Sequence, residues 1–385
     1  MGSSKTTASI VLLLRAAALA CVPGCGDRTG LIPRTDVGAS PDGSECPSAD
    51  SMAGAPSCAP GGPGMTTCGS SGDESCCTSL EVAGGTFYRT YDPIADGPSQ
   101  RPILAADGGP ADEADPATVS NFRLDKYLVT VGRFRQFVAA WNGGAGFVPP
   151  QGCGKHTHLN GGQGLANSGP GGGYETGWVA SDDSNVSPTD YHLSCSEPNT
   201  DNATWTPSAA SDETLPITCV NWYEAYAFCI WDGGFLPSDA EREYAAAGGS
   251  QQREYPWGSV EPGPDNQYAI YECSYPDGVA SDCGYQKTEN VSHIAPVGTA
   301  TLGVGRWGQL DLAGEVDEWN LDWLGVGYAE PCTNCADLTS SPVQERVCGG
   351  GNWGYAALYL LASFGRGAAP TVRVLDAGFR CARTP

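Results

Sequence analysis

The stretch from Leu215 to Gly249 constrains this chain's fold more than any other. Asn221 followed three residues later by Glu224 makes a capping box. Trp222, Ala225, Tyr226, Cys229 and Ile230 then recur at helical spacing to give one apolar face. Asp232, Gly233 and Gly234 stop that helix, because glycine accepts the positive φ that a helix end requires. Pro237 stiffens the approach to a second capping box, Ser238 with Glu241, and Gly248 and Gly249 close the second helix. Two capped helices joined by a tight elbow form a corner against which the rest of a domain can pack.

The net charge of -24, from 20 Lys and Arg against 44 Asp and Glu, argues against binding nucleic acid or an anionic membrane surface through electrostatics. Acidic loops suit calcium, basic partners or simple solubility. Seventeen cysteines without a clear metal pattern point to an oxidising compartment and several disulfides. With 53 Gly and 29 Pro, much of the chain must be loop.

Residues 1–21 read as an export signal: Lys5 precedes an apolar run, Ile10 to Leu14 and Ala16 to Ala20. The ending Leu19-Ala20-Cys21 resembles a bacterial lipoprotein signal, with Cys21 as the lipidated residue and Cys25 as a second choice; a plain secretory signal is the alternative. Residues 22–77 are rich in Gly, Pro and Ser and carry Cys46, Cys58, Cys68, Cys76 and Cys77. They lack a periodic apolar face and read as a disulfide-stapled tether. Residues 78–385 form the domain proper, where alternation in Phe122, Leu124, Tyr127 and Val129 predicts half-buried strand, and Thr130 caps a helix bearing Val131, Phe134, Val138 and Trp141. Gly171 to Gly173 lack the Gly-Lys-Ser/Thr that a phosphate loop needs and read as a surface insertion. His156 and His158 beside Cys153 form a His-x-His pair, a weak metal signal in a chain with four histidines.

Three blocks, in order, resemble the formylglycine-generating enzyme family, the sulfatase-modifying-factor domain. The first is the Leu215 to Gly249 corner, with Arg242 where the family usually has Trp. The second runs from Gly308 to Trp323, and the third from Arg346 through Gly350, Gly351, Asn352 and Trp353 to Gly378, Phe379, Arg380 and Cys381. Val82 to Tyr88 and Tyr255 to Gly258 resemble further family markers. The resemblance implies an irregular α+β, C-type-lectin-like fold with low regular secondary structure, rich in disulfides. It also implies a disulfide between Cys229 and Cys381, tying the first helix of the corner to the C-terminus.

In that family the second block binds calcium through a side chain, two backbone carbonyls and a Glu. Carried onto this sequence, the ligands are Asp311, Gly314, Val316 and Glu318, while Glu315 and Asp317 stand in place of the usual Asn and Trp. Calcium takes hard oxygens, and this spacing offers them within one turn. The rival reading is a capped turn with exposed acids. A second calcium site would start near Asn266 and Gln267, with its other ligands not placed.

The enzymes of this family bind copper(I) through two cysteines five residues apart after the Gly-Gly-Ser turn. Those positions are Tyr355 and Leu360 here, and neither supplies a thiolate, so copper is not expected. Cys348 is expected in a structural disulfide with Cys219, Cys332 with Cys335, and Cys273 with Cys283. Trp353, Arg346 and Arg380 suit either scaffold or site. Two function classes follow: a calcium-stabilised module at the cell envelope, binding a peptide, glycan or partner protein, or an oxidoreductase converting a protein cysteine to formylglycine through a non-standard metal site.

Overall fold

The structure, a computed structural model, describes residues 45–47, 54–91, 114–195, 203–279, 291–325, 327–328, 330–340 and 343–385. The export signal with Cys21 and Cys25, and Cys283, lie outside the described residues. The architecture is mixed α+β with short elements. Helix α1 covers Val131–Trp141, α2 is one turn at Asp190–Leu193, α3 covers Trp222–Trp231 and α4 covers Asp239–Ala246. No helix among the described residues is long and apolar enough to cross a membrane.

Both capping boxes form. Asn221 accepts from the Glu224 N–H at 2.9 Å while Glu224 reaches back to the Asn221 N–H at 3.3 Å, and Ser238 and Glu241 do the same at 3.2 and 2.8 Å. Gly233 adopts a φ of 79° and ends α3 as expected. The expectation of a single apolar face on α3 is corrected: every residue from Glu224 to Ile230 is buried, with only Tyr223 and Trp231 partly open. Phe228 stacks on Phe134 of α1 at 5.7 Å and meets Phe379 edge-on at 5.4 Å, so α3 is the axis of the core. A helix at a domain's centre needs no polar face. Its one acid, Glu224, is paired with Arg373.

Four small sheets surround this axis. Strands β1 (Ser79–Val82), β4 (Phe122–Asp125) and β12 (Ala382–Arg383) form one, and β2 (Gly85–Thr90), β3 (Ala114–Val119) and β7 (Cys332–Thr333) another. A two-stranded pair joins β5 (Ala166–Asn167) to β8 (Cys335–Ala336). The largest sheet has the order β10-β9-β6-β11, from Gly365–Ala368, Arg346–Gly349, Asp317–Trp323 and Ala377–Gly378. In it Arg366 lies opposite Cys348, and Cys348 opposite Trp319.

Disulfides link Cys229 to Cys381, Cys332 to Cys335, Cys58 to Cys77, Cys68 to Cys76 and Cys46 to Cys153. Cys273 is also disulfide-bonded. The pairing expected for Cys348 is wrong: Cys219 bonds Cys195, and Cys348 is buried with a free thiol. Reading residues up to 77 as a tether is corrected as well, since residues 54–77 are built into the domain. The fully buried Arg133 donates to Ser57 Oγ, to the Cys76 carbonyl, and to Asp125 and Asp232. Arg383 bridges the same two aspartates. This closed set of two guanidiniums and two carboxylates fastens the N-terminal segment, α1, α3 and the C-terminus together.

Candidate functional site

The turn after β9 sets the site's geometry. Gly350 and Gly351 adopt φ values of 103° and 73°, and a Cβ on Gly351 would lie 2.5 Å from the Tyr359 carbonyl oxygen. Only glycine fits that approach. The turn carries Asn352 back over the sheet, where its Nδ2 donates to Asp317 Oδ2 at 2.8 Å and to Asp376 Oδ2 at 3.2 Å. Arg366 spans the same two acids, Nε to Asp317 Oδ2 at 2.8 Å and Nη2 to Asp376 Oδ1 at 3.1 Å. Burial, with Asp317's charge adding, pushes the Asp376 carboxyl up despite Arg366. Asp317 stands where the family has Trp, but Arg366 and Asp376 carried no signal, because their meeting depends on strand pairing.

The two positions that hold copper cysteines in the enzymes lie just beyond. Leu360 is fully buried among Tyr255, Tyr271, Leu361 and Phe364. The Tyr355 ring packs against Tyr359 at 4.7 Å and Phe364 at 5.9 Å. An alkyl chain and a phenol do not fit copper(I), which takes soft thiolates. Burial pushes the nearby Cys348 thiol well up, away from thiolate character.

Of the residues carried over for calcium, Asp311 and Glu318 meet Arg380, whose five N–H groups are all matched. They meet both Glu318 oxygens at 2.6 and 2.9 Å, the Asp311 carbonyl at 2.9 Å, and the Asp125 and Lys126 carbonyls at 3.2 Å each. Asp311 Oδ2 accepts from the Gly298 N–H, so the acids are buried rather than exposed. Glu315, which the sequence offered only as a replaced Asn, proves to belong here. Its Oε1 accepts from Ala295 N–H at 2.8 Å, and its Oε2 is buried with no partner among the described residues. Burial and Glu318's charge raise the Asp311 carboxyl to about 6, and burial and Asp311's charge push the Glu315 carboxyl well above its ordinary value. Among the described residues no three His, Cys, Asp or Glu side chains converge as a metal cluster, so any cage leans on carbonyls such as those of Gly314 and Val316. With both Glu318 oxygens on Arg380, the oxygens left are the Asp311 and Glu315 carboxylates and backbone carbonyls, hard donors of the kind calcium takes.

Other candidates resolve as scaffold. The Arg346 guanidinium lies between the rings of Trp222 and Trp323, 3.7 and 3.8 Å from their centroids, and donates to the Leu321 carbonyl. Trp353 is buried beside His293. His156 is no metal ligand, because Glu175 and Glu241 engage its two nitrogens at 3.0 Å each. Burial opposes its charge, yet Glu241 and Glu175 prevail and push it up to about 10. Arg242, standing where Trp is usual, is buried under β9 and donates from Nη2 to the Ala362 and Phe364 carbonyls.

A family model for the sulfatase-modifying factor enzyme 1-like domain matches residues 66–385, and the chain belongs to that family. The formylglycine-generating enzyme of Mus musculus is 32% identical over 173 residues, 43% of this chain and 44% of the relative. A second Mus musculus relative, inactive C-alpha-formylglycine-generating enzyme 2, is 33% identical over 106 residues, 27% of this chain and 31% of the relative. The matched stretches thus span about half or less of these curated relatives. Among solved structures, PvdO from Pseudomonas aeruginosa aligns with a TM-score of 0.47 at 18% identity, covering 80% of this chain and 94% of that one.

Proposed function

We propose that this chain is an exported, calcium-stabilised binding module that holds a peptide, glycan or partner protein where the enzymes of its family hold their substrate cysteine. One observation carries the reading: Tyr355 and Leu360 occupy the copper-ligand positions, and both side chains belong to an aromatic and aliphatic cluster. A relative named as an inactive member is a precedent for the family fold without the oxidase chemistry. Disulfides throughout the described residues support export, and a lipid on Cys21 or Cys25 would hold the protein at the cell envelope. Calcium would be held by the Asp311 and Glu315 carboxylates and the Gly314 and Val316 carbonyls, whereas Glu318, expected as a ligand, has both oxygens on Arg380. The competing reading, oxidation of a protein cysteine through another metal arrangement, would have to recruit Cys348 from the sheet interior.

Copper(I) stoichiometry separates the two. The protein with its disulfides intact, equilibrated with copper(I) against a competing chelator, is expected to retain none. One tightly held equivalent per chain, lost on Cys348→Ser, would overturn the binding reading.

A further inference from the structure

Two arginines meet at the turn that follows α4. Arg306 Nη1 donates to the Gly248 carbonyl at 2.8 Å, and a Cβ on Gly248 would lie 2.9 Å from Arg253 Nε. Arg253 is held by its own bonds, Nε to Gln251 Oε1 at 2.8 Å and Nη1 to the Pro256 carbonyl at 2.6 Å. The exposed Arg306 guanidinium lies 5.0 Å from the ring centre of Trp307, which stacks on Tyr244 at 5.3 Å. Among the described residues neither arginine is ion-paired, and neither Nη2 has a hydrogen-bond partner. Glu261 and Glu254 lie within electrostatic reach of Tyr255, but no carboxylate offsets the charge of Arg306 on Arg253. Two like charges at an accessible surface are relieved by an anion, and their planar forks match a carboxylate.

An apolar strip adjoins this pair. Leu302 and Val304, two to four residues before Arg306, are exposed. Their segment packs against Tyr268: the Leu302 N–H donates to the Gln267 carbonyl at 2.8 Å, and a Cβ on Gly303 would lie 2.1 Å from the Tyr268 carbonyl oxygen. The Tyr268 ring is 5.5 Å from Trp257, which stacks on Tyr255 at 5.0 Å and donates from Nε1 to the carbonyl of the exposed Val260. Trp257 is half-buried and packs on the cluster that holds Leu360 and Tyr355, so the strip runs from the lost copper positions to the arginine pair. Exposed aliphatic and aromatic side chains in one patch mark an interaction surface, and aliphatic ones suit apolar side chains better than a hydroxylated sugar. The net charge of -24 repels polyanions at long range, so a single carboxylate on an otherwise uncharged segment suits the surface.

We propose that Arg253 and Arg306 clamp one carboxylate of a partner peptide whose neighbouring apolar side chains lie along Leu302, Val304, Tyr268 and Trp257. This rests on the binding reading and names the chemistry of its ligand. The probes are acetyl-Leu-Leu with a free C-terminal carboxylate and acetyl-Leu-Glu amide, whose carboxylate is a side chain. Acetyl-Leu-Leu amide is the neutral control, and acetate is the carboxylate without an apolar body. Each is titrated into the intact protein while the arginine Nε–H and tryptophan indole signals are followed by NMR. A carboxylate peptide should shift the signals of Arg253, Arg306 and Trp257 and bind about tenfold more tightly than either control; which peptide does so tells a chain end from an acidic side chain. Arg306→Gln should weaken that binding about tenfold as a charge-assisted contact is lost. A second measurement needs no variant: raising salt from ~0.05 to ~0.5 M should weaken the carboxylate peptides and leave the neutral amide unaffected. Equal binding of the amide, of acetate or of glucuronate, or no response up to ~10 mM, would overturn the proposal. Conversion of a peptide cysteine by the protein would instead strike the binding reading, so the two failures are distinguishable.

Discussion

Arg380 shows how single residues serve this fold. Its five N–H groups join Glu318, the Asp311 carbonyl and the turn at Asp125 and Lys126, so the block from Gly308 to Trp323 and the C-terminal block are one structure. Lysine has the charge but not the fork, and Arg380→Lys should cost about 3 kcal/mol in urea unfolding. His156 gives a pH-dependent counterpart. Its folded pKa of about 10 lies above the unfolded value, so its contribution is complete below pH ~6.5 and is lost as pH rises through about 10. Glu241 is buried, which opposes its charge, but His156 holds its carboxyl below the usual range; that contribution is lost as pH falls into the acid range. Urea unfolding from pH 6 to 10.5 should show wild-type stability declining, while His156→Gln starts lower and declines less. None of this was legible beforehand. The Glu partners of His156 lie 19 and 85 residues away, and a His-x-His spacing says nothing about them.

At the scale of elements, what is local was readable and what is long-range was not. The caps of α1, α3 and α4 form where Thr130, Asn221 and Ser238 announce them, since a cap and its N–H lie three residues apart. Residues 54–77 gave no such notice: they have little apolar periodicity, and Ser57 finds Asp232 across 175 positions. Cutting the chain after residue 77 removes two of Arg133's partners and should lower the melting temperature rather than merely free a tether. The Cys229 to Cys381 link closes a separation of 152 residues, so replacing both by alanine should cost ~5 kcal/mol of chain entropy. Unaltered denaturation midpoints in either variant would contradict these assignments.

For the molecule as a whole, family membership was legible because the three blocks keep their order, while the site's new character was legible only as a loss. Tyr355 and Leu360 mark the missing thiolates in the sequence, but only the sheet brings Asp317, Asp376, Arg366 and Asn352 together. Calcium is expected to matter at this scale: EGTA should lower the melting temperature by several degrees, calcium but not magnesium should restore it, and Asp311→Asn should abolish the response. The most direct measurement of the central claim is intact-mass analysis of a sulfatase-motif peptide incubated with the purified protein, copper(I), a thiol reductant and oxygen. Unchanged peptide, beside an active family member that converts it, is the predicted result. Conversion of the peptide cysteine to an aldehyde would contradict the account.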